Sequence, residues 1–266
     1  MITIPFDPNI HLGPITLAWH GIFTAVGIFF GVALPVRLVR ARSSDDALYS
    51  VATWAVVGGI IGARLFHVID SWDFYRDHLE LIPQIWNGGI AIMGAVVVGV
   101  ATGYLVAVRR GDVPIGAGAD GAAPGIGLGM AIGRIGDVIN GEHHAVACGF
   151  PGICVGYTHP DTLGQPGPVH LAVGYELIWD LLGVGLALAL RPLLAGRVPE
   201  GRIFWIWIAF TSFGRLVISF LRIDTPGLFG LYQAQLISVL LIALAIPIAL
   251  TLFRMERRRI AAPATE

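Results

Sequence analysis

Residues 230–259 read GLYQAQLISVLLIALAIPIALTLFRMERRR, a charge-free run followed by Arg254, Arg257, Arg258 and Arg259. About twenty apolar residues in a helix are enough to cross the hydrocarbon core of a bilayer. Basic residues gather on the cytoplasmic side of such spans. Six more stretches of the same kind can be marked, so the set is 15–36, 47–69, 89–108, 114–139, 171–190, 203–221 and 230–253. The pattern predicts an all-α integral membrane protein with seven transmembrane helices in a single polytopic domain over 1–266.

Composition agrees. Of 266 residues, 55% are hydrophobic and 13% charged, against roughly 25% charged in soluble domains. The first fourteen residues contain no basic stretch and no small-residue cleavage signal, so span one is expected to be retained. The net charge of −1 argues neither for nor against nucleic acid, and with the chain given over to membrane spans no nucleic-acid partner is expected.

All seventeen cations are arginine, and their placement alternates. Arg37, Arg40 and Arg42 follow span one, Arg109 and Arg110 follow span three, and Arg191, Arg197 and Arg202 follow span five. The intervening loops hold only Arg76 and, at an edge, Arg222, while 140–170 has none. This asymmetry predicts an external N-terminus and a cytoplasmic C-terminus. The loop at 70–87 carries Trp72, Phe74, Tyr75 and Trp86 and is expected to lie at the headgroup layer. The external loop at 140–170 is rich in Gly and Pro and holds Cys148 and Cys154, for which a structural disulfide is preferred over free thiols.

Ionisable residues inside spans are costly and mark candidate sites. They are Arg64 and His67 in span two, Asp120, Arg134 and Asp137 in span four, Glu176 and Asp180 in span five, and Arg215 in span six. One reading is mutual pairing, Arg134 with Asp137 or Arg215 with Glu176. The other follows from depth. Arg134 lies about one and a half turns, and Arg215 about two, from the external ends of their spans. Both therefore reach toward lipid phosphates, where two guanidinium groups make an anion clamp. Gly125, Gly129 and Gly133 at four-residue spacing offer a flat helix face for close packing, and Asn140-Gly141 marks a turn at the exit of the span.

The run Gly133-Arg134-Ile135-Gly136-Asp137-Val138-Ile139-Asn140-Gly141-Glu142 closely resembles the signature of the prolipoprotein diacylglyceryl transferase family. Gly62-Ala63-Arg64-Leu65-Phe66, Trp86 with Gly88-Gly89, Tyr175-Glu176 after His170, and Phe213-Gly214-Arg215 through Arg222 fall in the family's order. The resemblance implies seven spans in the bacterial plasma (inner) membrane. It also implies transfer of a diacylglyceryl group from phosphatidylglycerol to the lipobox cysteine of a prolipoprotein signal peptide, with glycerol phosphate leaving. It places catalytic roles on Arg134, Arg215, Asn140 and Glu142. Candidate phosphatidylglycerol-binding residues are Arg134, Arg215, Asp120, Gly141, Tyr175 and Gln235. No metal or organic cofactor is expected, and His143-His144 read as loop residues.

Four positions depart from the family pattern. Met93 stands where many members carry a histidine able to deprotonate the thiol, Asp137 replaces an asparagine, His20 occupies a tyrosine position and Ser219 a glutamate position. His20 is the candidate substitute base if span one packs beside span four. The alternatives are a paralogue that kept the fold with altered chemistry and, further off, a small transporter, which would show charges spread through the bilayer and paired broken helices.

Overall fold

The computed structural model describes residues 1–13, 15–85, 88–142, 144–149, 151–197, 199–224 and 230–261. Trp86 and His143 lie outside them. Seven described helices are long and apolar enough to cross a membrane: α1 (Trp19–Val39), α2 (Asp45–Asp70), α4 (Ile92–Arg110), α5 (Ile115–Asn140), α6 (Ala172–Leu194), α7 (Arg202–Ser219) and α8 (Gln233–Ala261). The short helix α3 (Trp72–Tyr75) and a 3-10 turn (Leu79–Leu81) lie in the loop after α2.

Span one begins later than expected. Residues 15–18 form strand β3 (Ile15–Ala18), paired antiparallel with β2 (Asn9–Leu12) around Gly13 at φ +62°. Hydropathy alone cannot separate an apolar β-strand from the first turn of an apolar helix. The loop at 140–170 also carries order that its Gly and Pro content did not suggest. Its β4 (Cys154–Tyr157) pairs parallel with the N-terminal β1 (Ile2–Ile4) and antiparallel with β5 (Val169–His170). The Cys148–Cys154 disulfide is formed, with Cα atoms 5.5 Å apart.

The chain folds as two compact units. In the unit at 36–118, α2 packs on α4 through glycines: a Cβ on Gly62 would lie 2.4 Å from the Gly94 carbonyl oxygen, and one on Gly94 2.3 Å from that of Gly62. Buried Arg64 donates to the carbonyls of Leu81, Ile82, Gly88 and Gly89 at 2.6–2.8 Å, so its charge is spent on organising the loop ahead of α4. Met93 is the second residue of α4.

The other unit comprises 1–35 and 119–266. Here α1 lies against α5, with Gly27 and Gly31 facing Gly129 and Gly125. Gly133 does not continue that stripe, since a Cβ there meets nothing within 4 Å, whereas Gly136 would meet His20 Cα at 2.6 Å. At about 100° per residue, position 136 is rotated only about 20° from 125, but position 133 about 80°. On the opposite side α6 and α7 are keyed together by Trp179, whose indole lies over Gly214 and donates to the Phe210 carbonyl at 2.9 Å.

Candidate active site

The register fixed by Trp179 and Gly214 sets Glu176 opposite Arg215, three residues back on one helix and one forward on the other. Four helix ends in this unit carry the polar groups: the starts of α1 and α6 and the ends of α5 and α7. Glu176 is the hub, 4% exposed. Its Oε2 lies 2.8 Å from a terminal nitrogen of Arg134, and its Oε1 is 3.0 Å from Arg215 and 3.3 Å from Arg222. Arg222 is held in turn by both oxygens of Asp224 at 3.0 Å.

Arg134 is equally constrained. Its second terminal nitrogen donates to Asp137 Oδ2 at 2.8 Å. Asp137 presents its other oxygen to His20 Nδ1 at 2.5 Å, and Glu142 Oε1 lies 3.8 Å from that nitrogen. A chain of contacts thus runs from His20 through Asp137, Arg134 and Glu176 to Arg215. Both pairings read from the sequence, Arg134 with Asp137 and Arg215 with Glu176, are present. They join the two arginines through one carboxylate. Arg215 retains a donor, because its buried Nε has no partner among the described residues. Asp180, one turn along α6 from Glu176, is buried with Oδ2 unpartnered among the described residues.

The end of α5 turns sharply beside this buried cluster. Gly141, at φ +76°, takes the left-handed position after the helix, and its N–H and that of Glu142 donate to the Asp137 carbonyl at 3.0 and 3.1 Å. A Cβ on Gly141 would sit 2.4 Å from Gly164 N, so both backbone conformation and space require glycine here. The Asn140 carbonyl accepts from Leu163 N and Thr162 Oγ1 at 3.1 and 3.2 Å. Its amide donates to Glu142 Oε1 at 3.4 Å, while the buried Oδ1 has no partner among the described residues. Burial raises the Glu142 carboxyl above its ordinary range, opposed in part by His20.

Three expected site residues are not brought into the cluster. Asp120 lies fourteen residues back along α5, about 21 Å from Arg134. Its carboxylate accepts from Gly201 N at 2.8 Å and Phe204 N at 3.0 Å, capping the start of α7. The Tyr175 hydroxyl accepts from Ile153 N at 2.7 Å and lies 3.2 Å from His170 Nδ1, tying down the disulfide loop. Gln235, buried at the first turn of α8, accepts from Tyr232 N at 3.0 Å. Conversely, Arg222 belongs to the cluster although the sequence marks it only as a loop-edge cation, and Glu176, an in-span charge read as a partner of Arg215, holds Arg134 and Arg222 as well. The available signal was charge balance, since arginines buried together need a shared counter-charge.

His20, Asp137 and Glu142 each bring one ligand atom within 4.8 Å of the others, a geometry open to a divalent cation. The 2.5 Å from His20 Nδ1 to Asp137 Oδ1 is instead a hydrogen-bond separation. Two ligands on one zinc, each about 2.0–2.2 Å from the metal, stand further apart than that. Ser219 is buried and donates to the Leu216 carbonyl at 2.6 Å, so it closes its own helix turn.

A family model described as prolipoprotein diacylglyceryl transferase matches residues 8–251. The chain belongs to this family. Relatives named phosphatidylglycerol--prolipoprotein diacylglyceryl transferase extend the match across nearly all of it. The protein of Nostoc sp. is 36% identical over 253 residues, covering 92% of this chain and 89% of the relative. That of Geobacillus kaustophilus is 36% identical over 250 residues, covering 89% and 88%. That of Staphylococcus carnosus is 35% identical over 245 residues, covering 88% and 86%. Within this chain the match includes α1 and the whole of α5 to α7, the elements that carry the arginine cluster.

Proposed function

We propose that this chain transfers the diacylglyceryl group of phosphatidylglycerol to the lipobox cysteine of a prolipoprotein in the bacterial plasma membrane, with its N-terminus outside and its C-terminus in the cytoplasm. The observation that carries the reading is the meeting of Arg134 and Arg215 at the two oxygens of Glu176. On the proposed orientation the external ends of α5 and α7 bring these arginines to the outer leaflet, where a lipid phosphate and a secreted cysteine meet.

The reaction is a displacement at carbon. A sulfur–carbon bond forms, the carbon–oxygen bond to phosphate breaks, and the departing glycerol phosphate gains a negative charge. Guanidinium groups held by Glu176 and Asp137 do not have to reorganise as that charge appears, and such preorganised donors stabilise the transition state more than the ground state. The unpartnered Nε of Arg215 offers the phosphate a donor not already committed among the described residues. Asn140, Gly141 and Glu142 form the turn after α5, next to the two arginines, with Asn140 and Glu142 as candidate catalytic groups and Gly141 as a candidate lipid contact.

Complementation tests the reading in cells. In a strain depleted of its own diacylglyceryl transferase, this chain restores lipoprotein modification and the Arg134→Ala variant does not. Failure of the unaltered chain to restore it, at normal expression, contradicts the proposal.

A further inference from the structure

We propose that His20 is the proton acceptor for the attacking thiol and that Asp137 is the positioning residue that holds its ring. The inference rests on the transferase reading and supplies the base for that same site.

The pair is built into the packing of α1 on α5. Because Gly136 has no side chain, the first turn of α1 approaches closely; a Cβ on Gly136 would lie 2.6 Å from His20 Cα and 3.1 Å from the Trp19 carbonyl oxygen. That contact sets His20 Nδ1 2.5 Å from Asp137 Oδ1. Arg134 fixes Asp137 from its other oxygen at 2.8 Å. A carboxylate held this way accepts the Nδ1–H and so selects the tautomer whose Nε2 carries a lone pair. Nε2 has no partner among the described residues, and the His20 side chain keeps 30% of its surface accessible while Asp137 keeps 6%. The charged groups facing the ring are Asp137 and Arg134 from α5 and Glu142 from the turn after it.

The chemistry requires such a group. A cysteine thiol with a pKa of about 8.5 is only a few per cent ionised at neutral pH. In the proposed step the thiol proton passes to His20 Nε2 as sulfur bonds to the lipid carbon, and the bonding pair of the carbon–oxygen bond leaves with the phosphate. The imidazolium that forms is stabilised by Asp137, then returns its proton to the departing glycerol phosphate. Thus the thiol proton ends on the phosphate and His20 is restored. Because Asp137 touches His20 with one oxygen and Arg134 with the other, thiol activation and phosphate binding share one carboxylate.

The test compares two acceptor peptides, one with the lipobox cysteine and one with selenocysteine kept reduced, whose selenol is ionised at neutral pH without a base. His20→Gln is expected to lower transfer to the thiol about 10²-fold or more and transfer to the selenol by less than about tenfold. Asp137→Asn, which keeps a hydrogen-bond acceptor beside the ring but removes its charge and loosens Arg134, is expected to lower transfer to both acceptors, and to the thiol more than to the selenol. Equal losses on both acceptors would make the pair merely structural and overturn the inference, as would an undiminished thiol rate. If the unaltered protein transfers to neither peptide, the transferase reading itself falls and takes the dyad with it.

Discussion

Arg134 and Glu176 form a buried ion pair at 2.8 Å, and the same carboxylate holds Arg215 at 3.0 Å on its other oxygen. Removing it leaves three guanidinium groups without their common counter-charge. Breaking a buried pair on one side costs about 3–5 kcal/mol, so Glu176→Ala should unfold at a markedly lower temperature in detergent. Glu176→Gln should lie between the two. Equal melting temperatures for all three proteins would show that the cluster does not hold these helices.

Arg134 donates through two terminal nitrogens to two different carboxylates, a forked geometry that an ammonium cannot reproduce. Arg134→Lys should therefore lose about 10²–10³ in kcat despite keeping its charge. Near-normal turnover by the lysine variant would mean that charge alone suffices.

Asp120 accepts two backbone N–H groups at the start of α7. Replacing such a cap by alanine costs about 0.5–2 kcal/mol. Asp120→Ala is expected to lower stability by that amount with KM for phosphatidylglycerol unchanged. A raised KM at unchanged stability would return Asp120 to the lipid site.

Much of this architecture is legible in the sequence because it depends on local quantities. Twenty apolar residues are a membrane span wherever they occur, and the depth of Arg134 and Arg215 follows from counting turns. What escaped depends on partners distant in the chain. Asp120 caps a helix more than eighty residues later, and β1 finds β4 across some 150 residues, which no periodicity records. The stripe Gly125-Gly129-Gly133 reads as continuous at four-residue spacing, yet helical rotation moves the contact to Gly136. Tyr175-Glu176 was visible as a motif, but only the fold shows that Tyr175 serves the disulfide loop while Glu176 serves the arginines.

Glu142 gives a pH signature. Burial raises its carboxyl in the folded protein, so the folded state binds more protons than the unfolded one between the ordinary carboxylate range, about 4.3, and the raised value. The stability this contributes is present below the ordinary range and is lost as pH rises through the raised value. In Glu142→Gln that loss is absent, so the difference in melting temperature between the two proteins should change across this window. A constant difference would contradict it.

The Cys148–Cys154 bridge closes a short loop next to β4. In the chain-entropy account such a loop is worth about 2 kcal/mol. Reductant should lower the melting temperature, and a membrane-impermeant maleimide should label intact cells only after reduction. Labelling without reductant would mean that the bridge is not formed, and none after it would contradict the external placement of this loop.

Transfer itself is measured by supplying purified protein with phosphatidylglycerol labelled in its diacylglyceryl group and a lipobox peptide, then counting label on the peptide. A stable thioether adduct is expected with the unaltered chain, and at least about 10²-fold less with Arg134→Ala or Arg215→Ala. No adduct from well-folded protein, or equal adduct from all three, would contradict the proposed function.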